Sequence, residues 1–393
     1  MEDAMKRVFL IVLDSLGIGA MPDAAEYGDE GSNTIASVAK SPYFFMPNMR
    51  QQGFFNIDGI DCVEKEEKPS GAFARLSESS KGKDTTTGHW EIGGIISGEP
   101  MPTFPDGFPD ELIDLLSKQT GRKILCNKPY SGTEVIREYG REQERTGGLI
   151  VYTSADSVLQ IAAHEQVIPL SQLYEYCEIA RQLCTGKYGV GRVIARPFVG
   201  TYPEYTRTAG RHDYSLFPPS DTFLDILKEN GMDVIAVGKI NDIFAGKGIT
   251  EFVRTSNNAD GIEKTIGYTK KNFNGICFTN LVDFDMLYGH RNDRDGYAKA
   301  LAYFDGKYPE ILNNLNEEDF LIITADHGCD PDTLSTDHSR EYIPLVISGA
   351  CVKTGVNCHT RATFADIAAT ILDIFDLPSS LPGISMKKEI IIN

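Results

Sequence analysis

The sequence predicts an α/β protein: a doubly wound core with a smaller α/β cap domain inserted into it. Three observations carry the α/β expectation and the insertion. Short apolar runs rich in β-branched residues recur along the chain, and each ends in a polar or glycine-containing cluster. Segments with helical apolar spacing lie between these runs, the alternation expected of a sheet covered on both faces. A middle stretch rich in Pro, Gly and charge interrupts the pattern.

Val8–Leu13 is the first run, read as a buried parallel strand that stops at Asp14 and is followed by Gly17 and Gly19. Open α/β sheets present ligand groups in this way, at the carboxyl ends of strands. The pattern repeats where Val234–Val237 runs into Gly238-Lys239 and Gly275–Leu281 runs into Val282-Asp283-Phe284-Asp285. It repeats again where Phe320–Thr324 runs into Ala325-Asp326-His327-Gly328, and Pro344–Ile347 into Ser348-Gly349. Each is expected to deliver its polar cluster at the C-terminal end. Ala300, Leu301, Phe304, Ile311, Leu312 and Leu315 share one helical face, and so do Phe364, Ile367, Ala368, Ile371, Leu372 and Phe375. Thr363 with Asp366 three residues on reads as a capping box for the second of these helices. From Glu99 to about Pro219 the composition changes, although a helix near 110–119 and a strand at Leu149–Tyr152 remain legible. The candidate metal ligands all fall outside that stretch. The expected division is a catalytic core of 1–98 and 220–393 with a cap of 99–219, without internal repeats or low-complexity tracts.

Composition narrows the partners. The 393 residues are 41% hydrophobic and 24% charged, as in a globular protein with a full core. A formal net charge of -18 opposes binding to nucleic acid or to anionic membranes. A phosphate substrate would then need bound cations or local basic groups to reverse the potential. The eight cysteines form no C-x-x-C pair, so they read as free thiols of a reducing compartment. The apolar run after the N-terminal Met-Glu-Asp-Ala-Met-Lys-Arg is too short for a membrane span and lacks a cleavage pattern. The expectation is a cytoplasmic protein.

Chemistry concentrates in three strand-end clusters: Asp14, then Asp285 with His290, then Asp326-His327 with His338. Mixed carboxylate and imidazole donors without thiolate suit manganese, zinc or iron rather than calcium. Six such groups exceed what one tetrahedral site needs and suit two metals sharing a reaction centre. Taken singly, an Asp after a strand is usually a turn or helix cap, and a His is usually a surface residue. The coincidence is what argues: of seven histidines, three fall in or just after these acidic clusters. A second feature is Gly82-Lys83-Asp84-Thr85-Thr86-Thr87-Gly88-His89-Trp90, where metal coordination could turn a threonine hydroxyl into a nucleophile. The same three threonines could equally form a hydrogen-bonded polar loop, and spacing does not choose among them. Scattered cations at Arg192, Arg196, Arg207 and Lys239 could meet phosphate, or simply be surface charges. Thr153-Ser154-Ala155-Asp156-Ser157 could present hydroxyls and a carboxylate to a sugar, or cap a helix.

Six stretches, Asp14-Ser15-x-Gly17-x-Gly19, Gly82 to Glu91, Tyr152 to Gln160, Gly191 to Phe198, Asn280 to Asp285, and Thr324 to Gly328, together closely resemble the bacterial phosphopentomutases of the alkaline phosphatase superfamily. The resemblance runs essentially end to end. It implies interconversion of α-D-ribose 1-phosphate and D-ribose 5-phosphate, and of the 2-deoxy sugars. It implies two Mn2+ ions, one on Asp285, His290 and His338 and the other on Asp14, Asp326 and His327, with Thr85 beside the second as the phosphorylated residue. Ser154, Asp156, Val158, Arg192, Ile194, Arg207 and Lys239 match positions that contact the sugar phosphate. A bisphosphorylated sugar would prime Thr85. One departure shows: Cys329 stands where the family pattern has Asn, beside a metal cluster, and could add sensitivity to oxidation.

In the implied cycle the cap excludes water that would otherwise hydrolyse the phosphoenzyme. The rivals are a metal-dependent phosphatase or phosphoglycerate mutase of the same superfamily, separable by a screen of phosphate esters, and a non-catalytic α/β metal or nucleotide binding protein. The last lacks support, because neither G-x-G-x-x-G after the first strand nor a P-loop is present. If it held, Asp14→Asn and Thr85→Ala would leave function intact. No oligomeric state follows from the sequence.

Overall fold

In a computed structural model the described residues are 6–154 and 156–392. Residues 1–5 and Ala155, the middle of the Thr153–Ser157 segment, lie outside them. In chain order the strands are β1 (Arg7–Leu13), β2 (Ala72–Leu76), β3 (Ile124–Pro129), β4 (Leu149–Thr153), β5 (Val158–His164), β6 (Arg192–Thr201) and β7 (Glu204–Arg207). They continue with β8 (His212–Ser215), β9 (Asp233–Val237), β10 (Glu251–Val253), β11 (Gly275–Leu281), β12 (Phe320–Thr324), β13 (Ile343–Ser348) and β14 (Asn357–Arg361). The chain divides into two compact units, Met101–Phe217 and the sequence on either side of it.

The larger unit is built on one sheet in the order β10-β9-β11-β1-β12-β13-β2-β14. β1 is central and every one of its residues is buried, which is why its sequence is continuously apolar after Arg7. It runs parallel to β11 on one side and to β12 on the other, with Val12 opposite both Asn280 and Thr324. That register brings the residues following three strands to one edge: Asp14 after β1, Asp283 and Asp285 after β11, and Asp326-His327 after β12.

Two local expectations are corrected. β13 is antiparallel to both β12 and β2, so Ser348 emerges at the opposite edge from Asp14. There Ser348 Oγ accepts from Tyr308 and donates to Gln52 Oε1, a buried structural role. The Thr363/Asp366 capping box does not form. The helix spans Asp366–Ile374, Thr363 Oγ1 donates to Glu91, and Asp366 accepts from Arg361 and from the Ile384 amide. A capping box does form at Thr222 and Asp225, ahead of the helix Phe223–Glu229. The helix Arg294–Asn313 buries Ala298, Leu301, Phe304 and Ile311 along one stripe.

The smaller unit carries a sheet in the order β3-β4-β5-β6-β7, with β8 on β6. The helices Asp110–Thr120 and Leu170–Leu183 pack on one face against Val151, Leu159, Ile161 and Val193. The helix Gly132–Thr146 packs on the other face against Ile150, Tyr152 and Phe198. Alternation along each strand assigns residues to faces. Val158 pairs with Arg192 and Gln160 with Ile194 in parallel register, while Phe198 pairs with Arg207. Val158, Arg192, Ile194, Arg196 and Arg207 therefore share the second face.

Candidate active site

The strand-end residues converge. His327 Nε2 lies 3.4 Å from Asp14 Oδ1 and 3.3 Å from Asp326 Oδ2. His290 Nε2 lies 3.2 Å from Asp285 Oδ2, and His338 Nε2 lies 3.4 Å from Asp285 Oδ1. The two Nε2 atoms of His290 and His338 are 3.1 Å apart. Ligand atoms of Asp14, Asp326 and His327 all fall within 4.8 Å of one another, and so do those of Asp285, His327 and His338. The two groups share His327. A third group of the same size joins Asp285, His290 and Cys329.

Asp285 reaches this place on a π-helical turn, Phe284–Tyr288, a widening often found at functional sites. His290 follows on a 3-10 turn, and His338 comes from the loop between β12 and β13. Asp14 is fully buried, and Ser15 after it adopts a left-handed φ of 67°, which is costly for a non-glycine residue. The Ser15 amide donates to Asp326 Oδ1 and its hydroxyl pairs with Tyr297, so the turn is held from both sides.

The donor set fits divalent cations. Asp14 Oδ1, Asp285 Oδ1 and Asp326 Oδ2 are buried oxygens with no hydrogen-bond partner in the protein, as expected of groups that meet a cation or water. Burial, and then the neighbouring charge of Asp326, push Asp14 above the usual carboxylate range. Burial works against ionising Asp285 too, but the imidazoles of His338 and His290 hold it well below that range. The same contact raises His290 to about 9. Nδ1 of His290 faces Thr336 O and Nδ1 of His327 faces Gly328 O. A carbonyl only accepts, so both Nδ1 atoms carry hydrogen and both Nε2 atoms point at the carboxylates.

Thr85 is the first residue of the helix Thr85–Ile92, and its Oγ1 lies 3.1 Å from His327 Nε2. Asp84 caps the helix, accepting from the Thr86 and Thr87 amides and from the Thr87 hydroxyl at 2.6 Å. The Thr87 hydroxyl is thereby committed, whereas that of Thr85 faces the cluster. Gly88 lies so close to Asp326 that a Cβ there would collide with the Asp326 carbonyl.

Arg340 fastens the segment leading into this helix. It is 2% exposed, and its Nη1 donates to Glu78 Oε2 at 2.6 Å, Ser80 O at 2.9 Å and Gly82 O at 2.7 Å. Its other nitrogens reach Asp23 and Glu78 O. Glu341, next in sequence, accepts from the Gly19 and Thr34 amides and from the Thr34 and Ser339 hydroxyls. A side chain at Gly17 would occupy the volume of the Glu341 carboxylate, which is why the turn after Asp14 needs glycine there.

In the smaller unit Arg192 Nη1 lies 3.6 Å from Asp213 Oδ2, which Arg211 also holds at 2.7 Å. Arg207 is exposed beside a cavity of about 270 Å³ lined by Arg196, Pro197, Thr208 and Arg211. Ser154 is half-buried and Asp156 exposed, while Val158 and Ile194 are buried. Lys239 belongs to the larger unit, exposed just after β9.

Several site residues escaped the sequence reading. His89 is fully buried, with Nδ1 2.9 Å from Thr85 O and 3.1 Å from Asp326 Oδ2. Asn280 donates to Asp14 Oδ2 at 2.7 Å. Both stood inside motifs already singled out, and a polar pair, Thr279-Asn280, near the end of a mostly apolar strand was the available signal for Asn280. Arg340 and Glu341 offered only their closeness to His338. Cys329 is 1% exposed, which shields its sulfur and removes the expected sensitivity to oxidation in the folded protein.

A family model for the metalloenzyme superfamily matches residues 6–379. The chain is 64% identical to a phosphopentomutase of Lachnoclostridium phytofermentans, covering 98% of this chain and 99% of that one. It is 58% identical to a phosphopentomutase of Carboxydothermus hydrogenoformans, covering 98% of each. Among solved structures, the PH0037 protein of Pyrococcus horikoshii superimposes with a TM-score of 0.50 at 15% identity, over 96% of this chain and 99% of that one, a likeness of fold alone.

Proposed function

The chain belongs to the phosphopentomutases of the metalloenzyme superfamily, and on that premise we propose that it interconverts α-D-ribose 1-phosphate and D-ribose 5-phosphate, and their 2-deoxy forms, through a phosphorylated Thr85. The observation that carries this reading is the Thr85 hydroxyl, 3.1 Å from His327 Nε2 at the margin of the carboxylate and imidazole cluster. Asp14, Asp326 and His327 would hold one Mn2+, and Asp285, His290 and His338 the other. Bound there, the two cations would neutralise charge on the phosphoryl oxygens and favour the ionised form of an attacking hydroxyl.

Phosphorylated Thr85 passes its phosphoryl group to the free hydroxyl of the sugar phosphate: the bond to Thr85 Oγ breaks as that to the sugar oxygen forms. The resulting bisphosphate turns end for end, and Thr85 Oγ takes the opposite phosphoryl group. A bisphosphorylated sugar primes the unphosphorylated enzyme. His89 and Asp84 position the nucleophile, His89 through the Thr85 carbonyl and Asp84 through the helix cap. Asn280 orients Asp14. Residues 99–219 act as the cap in this reading, with Ser154, Asp156, Val158, Arg192, Ile194 and Arg207, together with Lys239, binding the sugar phosphate. Placing Arg192, Ile194 and Arg207 on one face of the inserted sheet supports that assignment. We place the enzyme in the cytoplasm, where its cysteines, all free, would stay reduced. Among the described residues no helix is long and apolar enough to cross a membrane.

The test is turnover of ribose 1-phosphate with Mn2+, wild type beside Thr85→Ala, with free phosphate measured in the same samples. Isomerisation with little phosphate release, lost in Thr85→Ala, is expected. Phosphate release without isomerisation would make the protein a phosphatase, and an active Thr85→Ala would move the nucleophile to another residue.

A further inference from the structure

The proposed metal centre is built from oxygen and nitrogen donors with one exception. The Cys329 sulfur lies within 4.8 Å of a carboxylate oxygen of Asp285 and a ring nitrogen of His290, and those two also lie within that distance of each other. Gly289, next to His290, makes room for it: a Cβ at that glycine would sit 2.9 Å from the sulfur. The Cys329 amide donates to Thr34 Oγ1 at 3.1 Å, which fixes the backbone, while the sulfur has only a 3.5 Å contact to Asp337 O. Asp285 Oδ1, an acceptor of the same cluster, is buried and unpartnered.

We propose that Cys329 is a sulfur ligand at the Asp285–His290 position, so that this position takes a thiophilic divalent cation such as zinc, cobalt or cadmium in preference to manganese. The inference rests on the metal-centre reading above. Hard cations gain little from sulfur, whereas thiolate strongly favours softer ones. When such an ion binds, the sulfur–metal bond forms as the S–H proton leaves to solvent. The consequence is a mixed requirement: manganese supports turnover, while zinc competes for the Asp285–His290 position through a sulfur donor from which manganese gains little.

The test is spectroscopic. Metal-stripped full-length protein is titrated with Co2+, following the visible bands of bound cobalt and the near-ultraviolet charge-transfer band that appears only with sulfur ligation. Cys329→Ser and Cys329→Asn are run in parallel, with circular dichroism to verify folding. Both sets of bands are expected in wild type, and loss of the charge-transfer band alone in the two variants. Competition of Zn2+ against Mn2+ should fall by at least about tenfold in Cys329→Asn. Visible bands without charge transfer in wild type would overturn the sulfur ligand and leave the metal centre standing. No cobalt bands at all would overturn the metal centre, and the sulfur ligand with it.

Discussion

Arg340→Met removes the guanidinium that ties the segment before Thr85 to the loop following His338, both within the larger unit, while keeping an apolar stem of similar length. The substitution deletes charge-assisted hydrogen bonds to Glu78 and Asp23 and to the carbonyls of Glu78, Ser80 and Gly82. Removing one partner of a buried ion pair costs about 3–5 kcal/mol, because the other charge is left without compensation. Here Glu78 can escape by taking a proton. Burial already pushes its carboxyl well above the usual range, against the opposing charge of Arg340. The loss is therefore expected at the low end, about 3 kcal/mol near neutral pH. The sign of its pH dependence follows. A carboxyl whose folded pKa is raised opposes folding while ionised, so acidification through that pKa stabilises the folded state. The effect is larger in the variant, and the gap between variant and wild type narrows as pH falls. Trp90 is the one tryptophan and is buried in the helix that begins at Thr85, so its fluorescence in a urea titration reports this region. In the proposed mechanism kcat falls with stability, because freeing Ser80 and Gly82 loosens the approach to the nucleophile, while metal affinity at the strand ends changes little. A stability loss below about 1 kcal/mol, typical of exposed pairs, would refute the reasoning, as would an unchanged kcat.

Two further outcomes are expected. Gly88→Ala would ordinarily strengthen a helix by about 1 kcal/mol, but the collision with the Asp326 carbonyl should reverse the sign to a loss of about 1–3 kcal/mol, with kcat reduced; a higher melting temperature would show that the contact is not limiting. Arg192→Ala or Arg207→Ala should raise the ratio of phosphate released to sugar phosphate isomerised, measured in one assay, and unchanged partitioning would count against a role for the inserted unit in excluding water.

The fold class was legible because β1, β11 and β12 are mostly apolar runs that lead into polar clusters, a local pattern that needs no tertiary information. Strand direction is not local: Pro344–Ile347 carries the same pattern as its neighbours, yet β13 runs the other way. Thr363 and Asp366 have the spacing of a capping box, but Glu91 and Arg361 offer their side chains alternative partners. The six strand-end residues stood out by type and position. Thr85 did not stand out from Thr86 and Thr87, because its closeness to His327 is a tertiary contact between segments far apart in sequence, like that of Gly88 with Asp326 beside it. Arg340, Glu341 and Asn280 looked ordinary, since a buried polar residue declares itself only through partners that the chain brings from elsewhere.

The central strand of the larger sheet is also its first. Residues 7–13 have their hydrogen-bonding neighbours at 275–281 and 320–324, so β1 leaves the ribosome long before either partner exists. Pairing over such separations is slow, and an apolar strand waiting for it is exposed to aggregation. The smaller unit is a single uninterrupted stretch, Met101–Phe217, and can collect its own contacts during that wait. Synthesis order should then separate the two: the inserted sheet is expected to form early, and the carboxylate and imidazole cluster to be among the last features to assemble. Truncation anywhere before β12 leaves β1 without one of its flanking strands and Asp14 without Asp326 and His327.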